Sequence, residues 1–323
     1  MVKIAIRTSN APYSGKGHIH RCLQIRRHIK KKVVWFLDNK DINFEKKVFK
    51  RDKIIYEKSS KSINKLSDLI QRENIKLVLL DSYHITEKEL FKKINKKVSL
   101  VSIQDKEIKQ YADLTIIPQP IKILKKKITI KSGPKYIPIA KEYVSKSIIS
   151  KSKNIILISM GAFDKAGITL NIIDALISYD FLDGKYKIII ALGEKSPNIN
   201  KVKKKIINYK NFSLLINKKN MNAIYKKTFF AIGAPGLSHA ERLAAGVPSI
   251  LISQNILHNK IINEWVDMRC AIKSNKTKNS IQDNINLIIS NQELRNKIIK
   301  NGKEKIDGKG AERIAKEIGK IKL

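Results

Sequence analysis

The sequence predicts an α/β protein made of two doubly wound lobes, and three observations carry that expectation. Short Val/Ile/Leu-rich runs alternate with helix-period segments almost throughout, as parallel strands covered by helices on both faces require. The alternation breaks once, at 112–147, where "ADLTIIPQPIKILKKKITIKSGPKYIPIAKEYVSKS" gathers proline and lysine in the manner of a linker. The 323 residues also suit two domains of ordinary size. We expect an N-terminal lobe over 1–150, linker included, and a C-terminal lobe over 151–323. Ligands would enter a cleft between the two lobes, at the carboxyl edges of their strands.

In the first half, strands are expected at "KIAIRT", "KVVWFL", "KIIY", "IKLVLLD" and "KVSLVSI". Between them, "SINKLSDLIQREN" and "TEKELFKKIN" space their apolar residues at the helical period. The second half restarts at "KNIILISM" and continues through "YKIIIAL", "NFSLLI", "TFFAIGA" and "VPSILIS", each separated by a helical stretch. Three helices close the chain from about Ser280 to Ile321.

Composition narrows the function classes. No apolar run approaches the roughly 18–20 residues of a membrane helix, so no membrane span is expected. "MVKIAIRTSN" enters a strand at once and lacks the pattern of a secretory leader. The two cysteines, Cys22 and Cys270, lie far apart and in no metal-type spacing, which points to a reducing, cytoplasmic setting. With 66 Lys+Arg against 28 Asp+Glu, the net charge is +38. The lysines, however, run from end to end, with no zinc-finger spacing, no aromatic-studded RNA-binding strand and no basic tail. Nucleic acid is therefore not the expected partner, although the surplus favours an anionic ligand. No metal is expected either, because no histidine pair has ligand spacing and no Asp-x-Asp follows a strand.

Three loops can carry chemistry. After "KIAIRT", a loop with Pro12, Gly15 and Gly17 leads into "HIHRCLQIRRHI". Gly17 permits a close turn, and His18 falls in the first helical turn. There the positive end of the helix disfavours imidazolium, leaving a neutral ring able to take a proton from water. "SGKG" lacks the earlier glycine and the following Ser/Thr of a P-loop. The segment also fits a solvated turn with an incidental histidine, and His20 and His28 are read as surface residues.

The second loop ends "LVLLDSYHIT" (77–86). Asp81 can orient His18 or a sugar hydroxyl, or merely cap the next helix. Tyr83 can stack on or hydrogen-bond a ligand, and His84 is expected in solvent. The third is a pair of strand–turn–helix passages in the second lobe, "ISMGAFDKAGITL" and "AIGAPGLSHAERLAAGVPSILIS". Backbone N–H groups at Gly161 and at Gly233–Gly236 can hold a diphosphate at helix N-termini. Ser238 can reach phosphate or cap the helix. Glu241, one turn inside, can receive ribose hydroxyls or form a surface pair with Arg242.

"GKGHIHRCL" resembles the Gly-x-Gly-His-x-x-Arg-Cys-Leu signature of the UDP-2,4-diacetamido-2,4,6-trideoxy-β-L-altropyranose hydrolases of pseudaminic acid biosynthesis. The likeness continues, in the family's order and over nearly the whole chain, through "DSYHI", "GPKYIPIAKEY", "MGAFD", "ERLAAGVPS" and "DGKGAERIA". That family resembles the two-lobed GT-B nucleotide-sugar glycosyltransferases, so the resemblance implies Rossmann-like lobes of GT-B type. It implies that His18 is the catalytic histidine, Tyr83 an active-site tyrosine and Glu241 the nucleotide-binding glutamate, and we count Asp81, from its place at the strand end, with the catalytic residues. Gly17, Arg21, Gly161, Asp164, Gly233, Gly236 and Ser238 of the shared motifs would contact substrate. No cofactor is implied, and the partner would be a UDP-linked sugar bound by a monomer.

The chain departs from the pattern at several positions. Ala162 stands where the family usually has a second glycine, Pro235 and Ala240 where glycine and tryptophan are common, and Ala140 in place of an arginine. An Asn-Gln pair expected after "SILIS" is replaced by Leu257 and His258, with Asn255 and Asn259 nearby. We assign Asn255 and His258 to substrate binding on that basis. The reaction expected is hydrolysis of the anomeric C–O bond with inversion. A glycosyltransferase, in which His18 deprotonates an acceptor, is the alternative, and a basic nucleic-acid-binding protein stands behind both.

Overall fold

The computed structural model describes residues 3–10, 17–56, 63–82, 84–106, 109–123, 129–144, 153–161, 163–178, 185–218 and 220–323. The chain folds as two compact units, one of 1–139 with 309–323 and one of 140–308.

The first unit carries strands β1 (Lys3–Thr8), β2 (Lys32–Leu37), β3 (Lys53–Tyr56), β4 (Ile75–Asp81), β5 (Ser99–Ile103), β6 (Leu114–Ile117) and β7 (Ile130–Ser132). Its helices are α1 (Gly17–Arg26), α2 (Ile42–Glu45), α3 (Ile63–Arg72) and α4 (Glu87–Lys93). The strands form one sheet in the order β3-β2-β1-β4-β5-β6-β7, with every pair parallel. Strand residues alternate between two cores, as a pleat of period two demands. Ile4 and Ile6 pack with Ile19, Cys22 and Leu23 of α1 on one face. Ala5, Val78 and Leu80 meet Leu66, Leu69 and Ile70 of α3 on the other.

The second unit holds β8 (Ile155–Ser159), α5 (Ile168–Ile177), β9 (Lys187–Leu192), α6 (Ile199–Ile206), β10 (Phe212–Ile216), α7 (Asn222–Lys227) and β11 (Thr228–Gly233). It continues with α8 (Leu237–Ala244), β12 (Ser249–Ile252), α9 (Ile256–Asp267), β13 (Ile272–Ser274), α10 (Lys278–Ser290) and α11 (Gln292–Lys305). Its parallel sheet runs β10-β9-β8-β11-β12-β13.

Both orders reverse direction once, between β1 and β4 and between β8 and β11. At such a point the loops leave the carboxyl edge in opposite directions and open a crevice between them. The residues singled out in the sequence flank these two points: His18 and Asp81 in the first unit, Gly161 and Gly233–Gly236 in the second.

Two expectations change. The stretch read as linker contributes β6 and β7, because Leu114–Ile117 are four consecutive buried residues that extend the sheet. A boundary at 150/151 lies outside the described residues; the division between units comes at 139/140. The last helix, α12 (Gly310–Gly319), belongs to the first unit, where Ala311, Ile314 and Ile318 join the α1 core. Burying each isoleucine there contributes about 1.5–3 kcal/mol. No helix among the described residues is long and apolar enough to cross a membrane.

Candidate active site

In the first unit, β1 and β4 are paired so that Thr8 lies opposite Asp81, the last residue of β4. α1 starts at Gly17, which places the buried His18 second in the helix. His18 Nδ1 is 2.6 Å from Asp81 Oδ1. Arg21, three residues on and therefore on the same helical face, grips the same carboxylate with two bonds. Its Nε donates to Oδ2 at 2.6 Å and its Nη2 to Oδ1 at 2.5 Å. Arg21 Nη1 reaches Asp105 Oδ1 at 2.7 Å, and Gln119 Nε2 donates to the same oxygen at 3.3 Å. Cys22 Sγ lies 3.3 Å from Asp81 Oδ2.

The electrostatics fix the protonation of this network. Burial works to raise the Asp81 carboxyl, but the Arg21 charge, with hydrogen bonds from Arg21 and His18, outweighs it and holds the group below the usual carboxylate range. Burial alone would lower the Arg21 guanidinium, yet Asp81 and Asp105 keep it well above its ordinary value. Burial and the Asp81 charge push the Cys22 thiol up, so it stays a protonated donor. An ionised carboxylate only accepts, so Nδ1 of His18 carries the proton it donates to Oδ1. The 3.0 Å contact of Arg21 Nη2 with Nδ1 is then secondary. In the neutral ring Nε2 is left as the basic nitrogen, the tautomer a general base needs. Asp81 sets that tautomer.

The capping role considered for Asp81 belongs to other residues. Thr86 caps α4 in a reciprocal box with Glu89, and Ser82 Oγ accepts from the backbone N–H groups of His84 and Ile85. His84 is exposed as expected, but His20 and His28 are half-buried. Tyr83 lies outside the described residues, as do Pro12 and Gly15. Arg21 is buried between two carboxylates, so the structure assigns its guanidinium to the network itself. Asp105 was missed in the sequence. It stands just past the carboxyl end of β5, the strand beside β4, and the strand-edge argument applied to Asp81 applies to it equally.

In the second unit, Gly161 follows β8 with φ +94°, and its missing Cβ would point into open space. Ala162 lies outside the described residues. Asp164 departs from its expected substrate role: it is buried, and its two carboxylate oxygens accept the N–H groups of Ile168 at 3.1 Å and Thr169 at 2.9 Å. It therefore closes the N-terminus of α5.

The turn after β11 is built differently. Ala234 N donates to Ser159 O at 3.2 Å, tying it to the end of β8. A Cβ on Gly233 would stand 2.4 Å from that same oxygen, so only glycine fits. Gly236 precedes α8 with no side-chain cap on the helix, and a Cβ there would meet nothing. The half-buried Ser238 sits in the first turn. An uncapped helix mouth of this kind favours an anion.

Glu241, one turn further, accepts from the Tyr225 hydroxyl at 3.2 Å, and the Tyr225 ring lies 5.6 Å from that of Tyr143. Burial lifts the Glu241 carboxyl to about 7, against the lowering effects of the Tyr225 hydroxyl and Arg242. Arg242 is no surface partner of Glu241; it is fully buried. Asn255 caps α9 by accepting from His258 N at 2.9 Å, and His258 Nδ1 faces Gln254 N at 3.4 Å. Burial lowers the His258 imidazole below its ordinary value. Gln254 Nε2 donates to Met160 O, beside Gly161. Among the described residues, no group of three or more His, Cys, Asp or Glu side chains could hold a metal ion.

The units together have the two-lobed, parallel-sheet α/β architecture of the GT-B class. Solved structures of that architecture superpose over nearly the whole chain. The Staphylococcus aureus protein MnaA, solved with UDP, matches with a TM-score of 0.73 at 14% identity, covering 98% of this chain and 96% of its own. A putative UDP-N-acetylglucosamine 2-epimerase from Listeria monocytogenes gives 0.70 at 15%, covering 97% and 94%. A glycosyltransferase from Rickettsia africae gives 0.69 at 14%, covering 99% of each. In sequence, the chain is 28% identical over 290 residues to the uncharacterized protein MJ1062 of Methanocaldococcus jannaschii. That match takes in 82% of this chain but spans 58% of the relative's length. No protein-family model matches the chain.

Proposed function

We propose that this chain acts on a UDP-linked sugar and breaks the bond between the anomeric carbon and the diphosphate, with His18 as general base. The observation that carries the reading is the 2.6 Å contact of His18 Nδ1 with Asp81 Oδ1, which leaves Nε2 as the basic nitrogen. Nε2 takes a proton from water as the water oxygen bonds to the anomeric carbon on the face opposite UDP. The C–O bond to the diphosphate breaks, its electron pair stays on the β-phosphate oxygen, and the sugar is released with inverted configuration. The uncapped N-terminus of α8 and the turn at Gly161 hold the diphosphate, and Glu241 takes the ribose hydroxyls.

The motifs resembling the pseudaminic-pathway hydrolases favour water as nucleophile and a deoxy diacetamido sugar as substrate. A second reading replaces water by an acceptor hydroxyl or amine. It is favoured by the fold shared with the R. africae glycosyltransferase over 99% of both chains. One experiment separates these readings: a panel of UDP-amino sugars incubated without acceptor, followed by NMR. UDP and free sugar appearing together support hydrolysis, whereas UDP release that requires an added acceptor supports transfer. Recovery of every UDP-sugar intact, with and without acceptors, would overturn both.

A further inference from the structure

The second unit contains a buried cation that none of the roles above uses. Arg242, on α8, is completely shielded from solvent. Its Nε donates to Ser249 Oγ at 3.0 Å and its Nη2 to Ala234 O at 3.0 Å. Nη1 has no hydrogen-bond partner, and among the described residues no carboxylate hydrogen-bonds the guanidinium, although the neighbouring Glu241 attracts it electrostatically. Both terminal nitrogens lie directly under the turn, 3.0 and 3.1 Å from where a Cβ of Gly233 would stand.

Such an arrangement is costly. A buried charge is normally paired, and an apolar side chain of similar volume in its place often leaves a fold equally or more stable. Burial draws the guanidinium below its ordinary value, but arginine keeps its proton at any physiological pH. A fixed positive charge therefore sits inside the unit, beneath the Gly233–Gly236 turn and beside the uncapped mouth of α8. A low-dielectric surrounding lets such a charge act through several ångströms. Ala234 O and Ser249 Oγ hold it in place, and glycine at 233 is what lets the turn lie close upon it.

We propose that Arg242 is a positioning residue which supports the diphosphate from beneath the Gly233–Gly236 turn, supplying positive charge without touching the ligand. The assignment rests on the nucleotide reading given above. It predicts that the contribution of Arg242 grows with the charge of the ligand.

The test compares uridine, UMP and UDP by calorimetry on the wild-type chain, Arg242→Met and Arg242→Lys. The methionine variant should bind UDP on the order of tenfold more weakly, UMP with an intermediate loss, and uridine nearly as well as wild type. Its unliganded melting temperature should be unchanged or higher. Arg242→Lys, which keeps the charge, should recover most of the UDP affinity and also serves where the methionine variant does not fold. Equal losses for all three ligands, or a lysine variant as weak as methionine, would overturn the proposal and leave Arg242 a structural clamp. Wild-type protein that binds none of the three would instead remove the nucleotide reading itself.

Discussion

His18 Nδ1 and Asp81 Oδ1 meet at 2.6 Å although 63 residues separate them in sequence. The contact exists because β1 and β4 are neighbours at the point where the strand order reverses, and because α1 begins with His18 in its first turn. On the proposed reading, removing His18 should cost catalysis and little else. His18→Ala is expected to lower turnover about 10²–10⁴-fold while UDP affinity, which that reading assigns to the second unit, stays within error. Steady-state rates together with calorimetry check both halves. A near-normal rate in that variant would leave the general base unassigned.

Asp81→Asn probes the orienting carboxylate and the ion pair in one substitution. The amide keeps the shape, but Arg21 loses the charge that its Nε and Nη2 grip, and breaking a buried pair in this way costs about 3–5 kcal/mol. Asp105 still holds Nη1, which places the loss at the lower end of that range. The sign with pH follows from the Asp81 carboxyl being held low in the folded chain. Its stabilisation is present above the unfolded value and is lost as pH falls through the folded one. Melting temperatures measured from pH 7 down to pH 3 should fall more steeply for wild type than for the variant. Parallel curves would count against an ionised Asp81 in the native state.

The strand pattern was legible because fully buried parallel strands leave runs such as "KIAIRT" and "IKLVLLD", whose bounds coincide with β1 and β4. β6, β7 and β13 were not, since three or four residues between prolines or lysines give no period to read. His18 and Asp81 could each be found from a strand edge or a helix start. Their pairing needed only the order of strands in the sheet. Arg242 was illegible: next to Glu241 it reads as a surface charge, and only its position on α8 turns it inward. Asp164 and Asn255 were misleading for one common reason. A short polar side chain ahead of a helix serves a ligand or the helix's own N–H groups, and here it serves the helix.

The return of α12 to the first unit makes a prediction about glycine. A Cβ on Gly310 would lie 2.2 Å from Ile137 O, a contact with backbone that no rotamer change relieves. Gly310→Ala should therefore loosen the docking of α12 and expose the faces of Ile314 and Ile318. The expected result is a destabilisation of about 1–3 kcal/mol and faster amide exchange in α1, which shares that core. Gly319→Ala, where a Cβ would meet nothing, is the matched control and should leave exchange unchanged.

On the proposed reading, Glu241 couples nucleotide binding to proton release. Burial raises its carboxyl from 4.5 to about 7, and the groups that face it are the Tyr225 hydroxyl, Arg242, Tyr143 and Glu142. Between those two values the folded chain binds more protons than the unfolded one, so this group's stabilisation is complete below 4.5 and is lost as pH rises through 7. Nucleotide binding should run the other way. A carboxylate that accepts ribose hydroxyls does so best when ionised, so UDP affinity should rise from pH 6 to pH 8 and binding near pH 7 should release protons. Glu241→Gln mimics the protonated state. It should melt above wild type at pH 8, match it below pH 4.5, and bind UDP weakly with no pH dependence. Calorimetry in two buffers of different ionisation enthalpy reads the proton release directly. An identical apparent enthalpy in both would detach Glu241 from the ribose.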